Sequence, residues 1–219
     1  LQIKMKTRGN FRRKAENCSY PPLWLNFDKD EIPETCIFSG QNKLKLVVPC
    51  QGENYLLREY LTYKLFNLIT PASYRVRLVH VDFIDTSRQK VYASLLAFIL
   101  EDDDQMASRI GGEIETQDLI RSQQTDTLSF LRMAIFEYMI GNTDWSVPYR
   151  HNIKIVRQND RQITVPYEFD HSGIVSAPYA KPAPELQLSS VRTRRYRGYC
   201  LEDLTLCDPI LKEYLDVKD

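Results

Sequence analysis

Asp144 and Asn152, in the stretch GNTDWSVPYRHNIKIV, and Asp170, in VPYEFDHSG, are oxygen-bearing side chains set at the two ends of one short ribbon of sequence. If the strand NIKIV pairs with ITVPYEF across the RQND turn, Asp144, Asn152, Glu168 and Asp170 converge at one end of the hairpin. Two Asp and one Asn are the donors a hard divalent cation such as Mg²⁺ prefers, with water and phosphate oxygens completing its shell. An Asp beside them that does not bind metal can orient an attacking hydroxyl. Asn and Asp are also common turn residues, because their side chains bond to nearby backbone. GNTD therefore reads as a turn as well as a catalytic loop.

The preceding segments must position these residues. Alternating patterns predict strands in LQIKMKT, PLWLNF and NKLKLVVPC, the first ending in a Gly9–Asn10 turn. ENYLLREYLTYKLFNLIT changes to helical spacing, with Leu57, Leu61, Leu65 and Leu68 recurring at that period and Pro71 as the stop. Two further strands flank a TSRQ turn, and DDDQMASRIGG is a polar connection with about two helical turns. DTLSFLRMAIFEYMI is a buried helix with Leu128, Leu131, Ile135 and Met139 on its main stripe. The hairpin follows as a two-stranded ribbon, then the Pro/Ala-rich loop APYAKPAPE and a last helix in DPILKEYLD.

This order predicts an α+β chain with a protein-kinase-like two-lobed fold: a β-rich N-terminal lobe over residues 1–101 and a reduced helical C-terminal lobe over 102–219. Kinases pair a strand lysine with a helix glutamate next to the nucleotide phosphates. Lys45, sharing its strand face with Lys43, and Glu59 are the matching pair; a solvated strand face is the alternative for the lysines.

The chain resembles the CotH (spore-coat kinase) group of atypical kinases, and more closely the uncharacterised bacterial proteins related to it. The resemblance rests on RGNFR, LKLVVPCQGENYLLREYLTYKLFN, GNTDW with HNIKI, and PYEFDHSG, which together span most of residues 8–173. It implies phosphoryl transfer from ATP to a protein hydroxyl with Mg²⁺ or Mn²⁺. Asp144 would be the catalytic acid–base residue, Asn152 and Asp170 the metal ligands, and Lys45 and Glu59 the phosphate-side pair. The Arg8–Gly9 turn would lie over the phosphates through its N–H groups and the Arg8 side chain. Two features depart from the kinase pattern. Seven residues separate Asp144 from Asn152 where kinases have four, and DHSG is one residue longer than the usual D-F-G. The 46 residues after Gly173 are too few for a large helical substrate platform.

Composition narrows the partners. Equal numbers of basic and acidic residues, 29 each, argue against a dedicated nucleic-acid binder. No apolar run reaches the length of a membrane span. Oligomeric state has no signature here. The five cysteines (Cys18, Cys36, Cys50, Cys200 and Cys207) read first as buried thiols and alternatively as one or two disulfides of an exported protein; no zinc spacing is present. With the start at Leu1 they suggest an extracytoplasmic or secreted bacterial protein, with a cytoplasmic one as the alternative. His171 is expected to be structural rather than a ligand, and Trp145 to anchor the loop. VRTRRYRG is either an acid- or phosphate-binding strip or a charged surface paired with Asp102–Asp104. Two rival functions remain open: a catalytically inactive kinase-like domain that binds a nucleotide or protein, and a metal-dependent phosphohydrolase using the same acids.

Overall fold

The computed structural model describes residues 1–28, 31–117, 119–199 and 201–218. The chain is α+β, with a five-stranded antiparallel sheet, a three-stranded antiparallel sheet and, among the described residues, four α-helices. It divides into two compact units. The first holds residues 1–60 and 76–102, the second 61–75 and 103–219.

In the first unit β1 (Lys4–Thr7), β2 (Leu23–Asn26), β3 (Lys43–Val47), β4 (Val76–Asp85) and β5 (Lys90–Leu100) form the order β1-β2-β3-β5-β4. The turn between β4 and β5 closes where Asp85 Oδ1 accepts from the Ser87 N–H and hydroxyl. Period-two alternation sorts the faces. Leu25, Leu44 and Leu46 point into a core with Phe27, Ile32, Val48 and Ala97. Trp24 and Lys45, which are cross-strand partners, point to the other face. A disulfide joins Cys18 to Cys50 across Cα atoms 4.5 Å apart, while Cys36 and Cys207 are free thiols. Cys200 lies outside the described residues.

Helix α1 (Glu53–Ile69) opens with Glu53, whose Oε1 accepts from the Leu96 N–H. The leucines that mark its period do not form its buried face. Leu61, Leu65 and Leu68 are exposed, while Leu56, Glu59, Tyr63 and Phe66 are buried. Both sets fit a helical period, and the larger rings of Tyr63 and Phe66 bury more area than leucines would.

The second unit is built around α3 (Thr127–Ile140), which is capped by Asp126 accepting from the Ser129 N–H and ended by Gly141 at φ +69°. Here too the expected stripe is only partly right: Leu131 is buried, but Leu128 and Met139 are exposed. Phe130, Met133, Ala134 and Phe136 fill the interior instead. α2 (Asp103–Arg109) leads into β6 (Glu113–Ile114), which pairs with β7 (Ile153–Gln158); β7 pairs in turn with β8 (Arg161–Pro166). The ribbon thus has three strands rather than the two expected, because a two-residue strand carries no readable alternation. α4 (Asp208–Asp216) follows near the end, where Arg132 of α3 holds Glu213 in a bidentate pair. Among the described residues no helix is long and apolar enough to cross a membrane.

Candidate functional site

The α3 C-cap and the β7–β8 hairpin build the geometry around Asp144. Gly141 turns the chain through left-handed backbone, and the Asn142 N–H returns to the Glu137 carbonyl at 2.8 Å. The Asn142 side chain accepts from the Asp144 N–H at 3.0 Å, fixing the peptide that carries the acid. Seven residues later the chain comes back. Ser146 and His151 exchange backbone hydrogen bonds, so the extra residues close a small loop and leave Asn152 beside Asp144.

The side chains then meet directly. His151 Nε2 lies 2.8 Å from Asp144 Oδ1. Asn152 Nδ2 donates to the Asp144 carbonyl at 2.7 Å and to Oδ2 at 3.1 Å. A backbone carbonyl accepts only from the nitrogen end of an amide, so the orientation is fixed and Oδ1 of Asn152 is the end available to a cation. Asn152 holds left-handed backbone at φ +54°, which asparagine tolerates better than most residues.

The strand pairing carries the second acid motif to the same end. Ile153 pairs with Pro166, and the Tyr167 N–H donates to the Asn152 carbonyl at 3.0 Å. Phe169 is fully buried against Tyr63 and Phe136, which anchors the residues on either side of it. The Glu168 N–H donates to the Tyr63 hydroxyl at 2.8 Å. Asp170 is buried and accepts from the Tyr179 hydroxyl at 3.0 Å, with the His171 ring 5.6 Å from that of Tyr179. The Gly173 N–H donates to the Gly141 carbonyl at 3.1 Å and the Ile174 N–H to Ile140 at 2.9 Å, so the two motifs are tied backbone to backbone.

Beneath the loop, Glu137 is completely buried. Burial pushes its carboxyl up to about 8, opposed by the Asn142 amide and reinforced by the charge of Asp144. Neither carboxyl oxygen reaches a hydrogen-bond partner at full geometry, although the Asn142 amide lies close enough to favour the charged form. Trp145 is buried in the cluster of Phe130, Met133, Val147 and Ile153, an anchor as expected.

The first unit contains the other candidates. Lys45 and Glu59 are both buried. Charges at such depth need partners, and Glu59 has the Arg12 guanidinium at 3.5 Å, itself donating to the Val48 carbonyl at 2.7 Å. Arg8, Lys43 and Lys45 stand 5.3, 4.8 and 5.5 Å from the Trp24 ring centre. Gly9 turns at φ +79° directly after Arg8, whose N–H bonds to the Pro22 carbonyl.

Among the described residues no group of three His, Cys, Asp or Glu side chains forms a metal cluster. Mg²⁺ commonly takes one or two carboxylates and completes its shell with water and phosphate, so by donor chemistry alone the Asn152 amide oxygen and the Asp170 carboxylate would suit such an ion. Sequence reasoning gave no role to Glu137, an acid inside an otherwise apolar helix, and named Asn142, Arg12 and Arg197 only as members of GNTDW, RGNFR and VRTRRYRG. Within VRTRRYRG, Arg194 donates to the Met139 carbonyl and Arg197 to the Trp145 carbonyl, while Asp103 is held by Lys154 and Tyr74. The chain matches no known protein-family model and no curated protein.

Proposed function

We propose that the chain is an atypical, CotH-like kinase that transfers phosphate from ATP to a protein hydroxyl, its two units corresponding to the lobes of a protein-kinase-like fold. The observation that carries this reading is the direct bonding of Asn152 to Asp144 despite the long intervening loop. The spacing that departs from the kinase pattern still yields the kinase pairing of a catalytic acid with a metal-type amide.

Asn152 Oδ1 and the Asp170 carboxylate would hold Mg²⁺ or Mn²⁺, which when bound neutralises charge on the transferred phosphate. Asp144 accepts the proton of the acceptor hydroxyl on its carboxylate. His151 Nε2–H, donating to Oδ1 of the ionised carboxylate, orients Asp144 for that step. On the same reading Lys45, Glu59 and the Arg8–Gly9 turn, all in the first unit, would be the phosphate-binding residues. The Cys18–Cys50 disulfide supports an oxidising, extracytoplasmic setting.

One observation favours an inactive nucleotide- or protein-binding domain instead. Both carboxylate oxygens of Asp144 already have side-chain partners. Transfer of label from γ-labelled ATP to a panel of proteins, for wild type and Asp144→Asn, separates the two. A kinase labels an acceptor and loses that labelling with Asp144→Asn; a binder labels nothing in either form. Release of free phosphate with no labelled acceptor would point to a hydrolase.

A further inference from the structure

The segment after Val191 runs across the back of the Asp144 loop, and its contacts there fall on backbone carbonyls. The Arg197 guanidinium donates through one nitrogen to the carbonyls of Thr143 and Trp145, the second at 3.0 Å. These are the residues on either side of Asp144. Its carbon lies 5.6 Å from the Trp145 ring centre, adding a cation–π contact to the same loop. Arg194 donates to the Met139 carbonyl at 2.9 Å, at the end of the helix that leads into the loop. The backbone has been cleared to admit this segment. A Cβ placed on Gly141 would stand 3.0 Å from the Val191 carbonyl oxygen, and one on Gly173 only 2.5 Å from it.

Both glycines belong to the motifs that carry the candidate acids, so the strip rests on the junction of the two. Helix ends and loops leave carbonyls without intrachain partners. A planar, permanently charged guanidinium satisfies two of them at once, which a lysine ammonium does with less directional control.

We infer that Arg197 is a positioning residue for Asp144: it fixes the two flanking carbonyls and so sets where the carboxylate points. The inference rests on the kinase reading for its consequence in turnover, but the positioning itself is readable without turnover. His151 Nε2 bonds to Asp144 Oδ1, and the chain has only three histidines, so the ring nitrogens of His151 report the placement of the acid.

The test compares wild type, Arg197→Ala and Arg197→Lys by ¹⁵N-resolved NMR of the histidine rings. In Arg197→Ala the His151 ring signals move while those of His80, in the first unit, stay in place, and Arg197→Lys restores them in part. A folded Arg197→Ala protein with His151 signals unchanged overturns the inference, as does movement of His80 by the same amount. Where Arg197→Ala does not fold, Arg197→Gln, which keeps one donor and drops the charge, is read in the same way. In the labelling assay Arg197→Ala lowers kcat by about 10²-fold, the cost of misplacing a catalytic group by about 1 Å, with KM for ATP within about threefold of wild type and partial rescue by lysine. Wild type that labels no acceptor would remove the kinase reading and leave the histidine result to stand or fall separately.

Discussion

The amide nitrogen of Asn152 is shared between the backbone carbonyl and the carboxylate of Asp144, at 2.7 and 3.1 Å. One side chain therefore fixes the position of the acid and presents its own oxygen at a defined angle. Three features make this possible: the left-handed backbone of Asn152, the Ser146–His151 bridge that closes the long loop, and the β7–β8 register that brings Tyr167 against Asn152.

Replacement of Asn152 separates backbone strain from side-chain bonding. Asn152→Gly relieves the positive φ and loses only the two hydrogen bonds, whereas Asn152→Ala loses the bonds and also carries left-handed strain of about 1–2 kcal/mol. Urea unfolding should find the alanine variant less stable than the glycine variant by about that amount. Equal stabilities would contradict the assigned backbone.

Glu137 makes stability depend on pH. Its folded carboxyl titrates near 8 against 4.5 in the unfolded chain, because burial disfavours the charge. The folded state therefore holds a proton that the unfolded state has released. The stabilisation is complete below about pH 4.5 and is lost as pH rises through 8. Across the whole window the contribution is on the order of 5 kcal/mol. Asp144 and Tyr214 are the charged or titratable groups coupled to it. Glu137→Gln should flatten the pH dependence of the unfolding midpoint between pH 5 and 9. A variant that loses stability in parallel with wild type would refute this.

The Cys18–Cys50 bridge closes a loop of 32 residues. Loop-closure entropy assigns such a bridge about 3–4 kcal/mol. Paired Cys18→Ser and Cys50→Ser replacement, or reduction, should lower the unfolding midpoint of the chain. A midpoint insensitive to both would show that the bridge adds nothing.

Gly173→Ala tests the approach of the C-terminal strip to the acid motif. Its Cβ would meet the Val191 carbonyl oxygen at 2.5 Å and the Arg192 Cα at 3.1 Å, both backbone atoms that cannot rotate away. Overpacking of this kind costs about 1–3 kcal/mol. Differential scanning calorimetry should show that loss. Full stability would mean that the strip does not lie there.

The sequence made much of the scaffold readable because its signals were local. Alternation located β1, β2 and β3, the TSRQ turn separated β4 from β5, and the apolar run DTLSFLRMAIFEYMI located α3. Which helical face is buried was not local: two stripes on α1 share one period, and the choice depends on what packs against Tyr63 and Phe66. At the site, the convergence of Asn152 with Asp144 followed from strand pairing. The contacts made by Arg197 and Tyr179 did not, since they arrive from segments without regular structure that lie far along the chain.

The central claim is that ATP binds with a divalent cation held by Asp170. Thermal unfolding with ATP and Mn²⁺, each far above its dissociation constant, tests it most directly, for wild type and Asp170→Asn. Ligand at one hundred times its dissociation constant adds about 2.7 kcal/mol, a shift of roughly 5–10 °C for a chain of this size. The kinase reading predicts such a shift in wild type, dependent on the metal and abolished by Asp170→Asn. No shift at millimolar ATP with either Mg²⁺ or Mn²⁺, or one that survives Asp170→Asn unchanged, would contradict it.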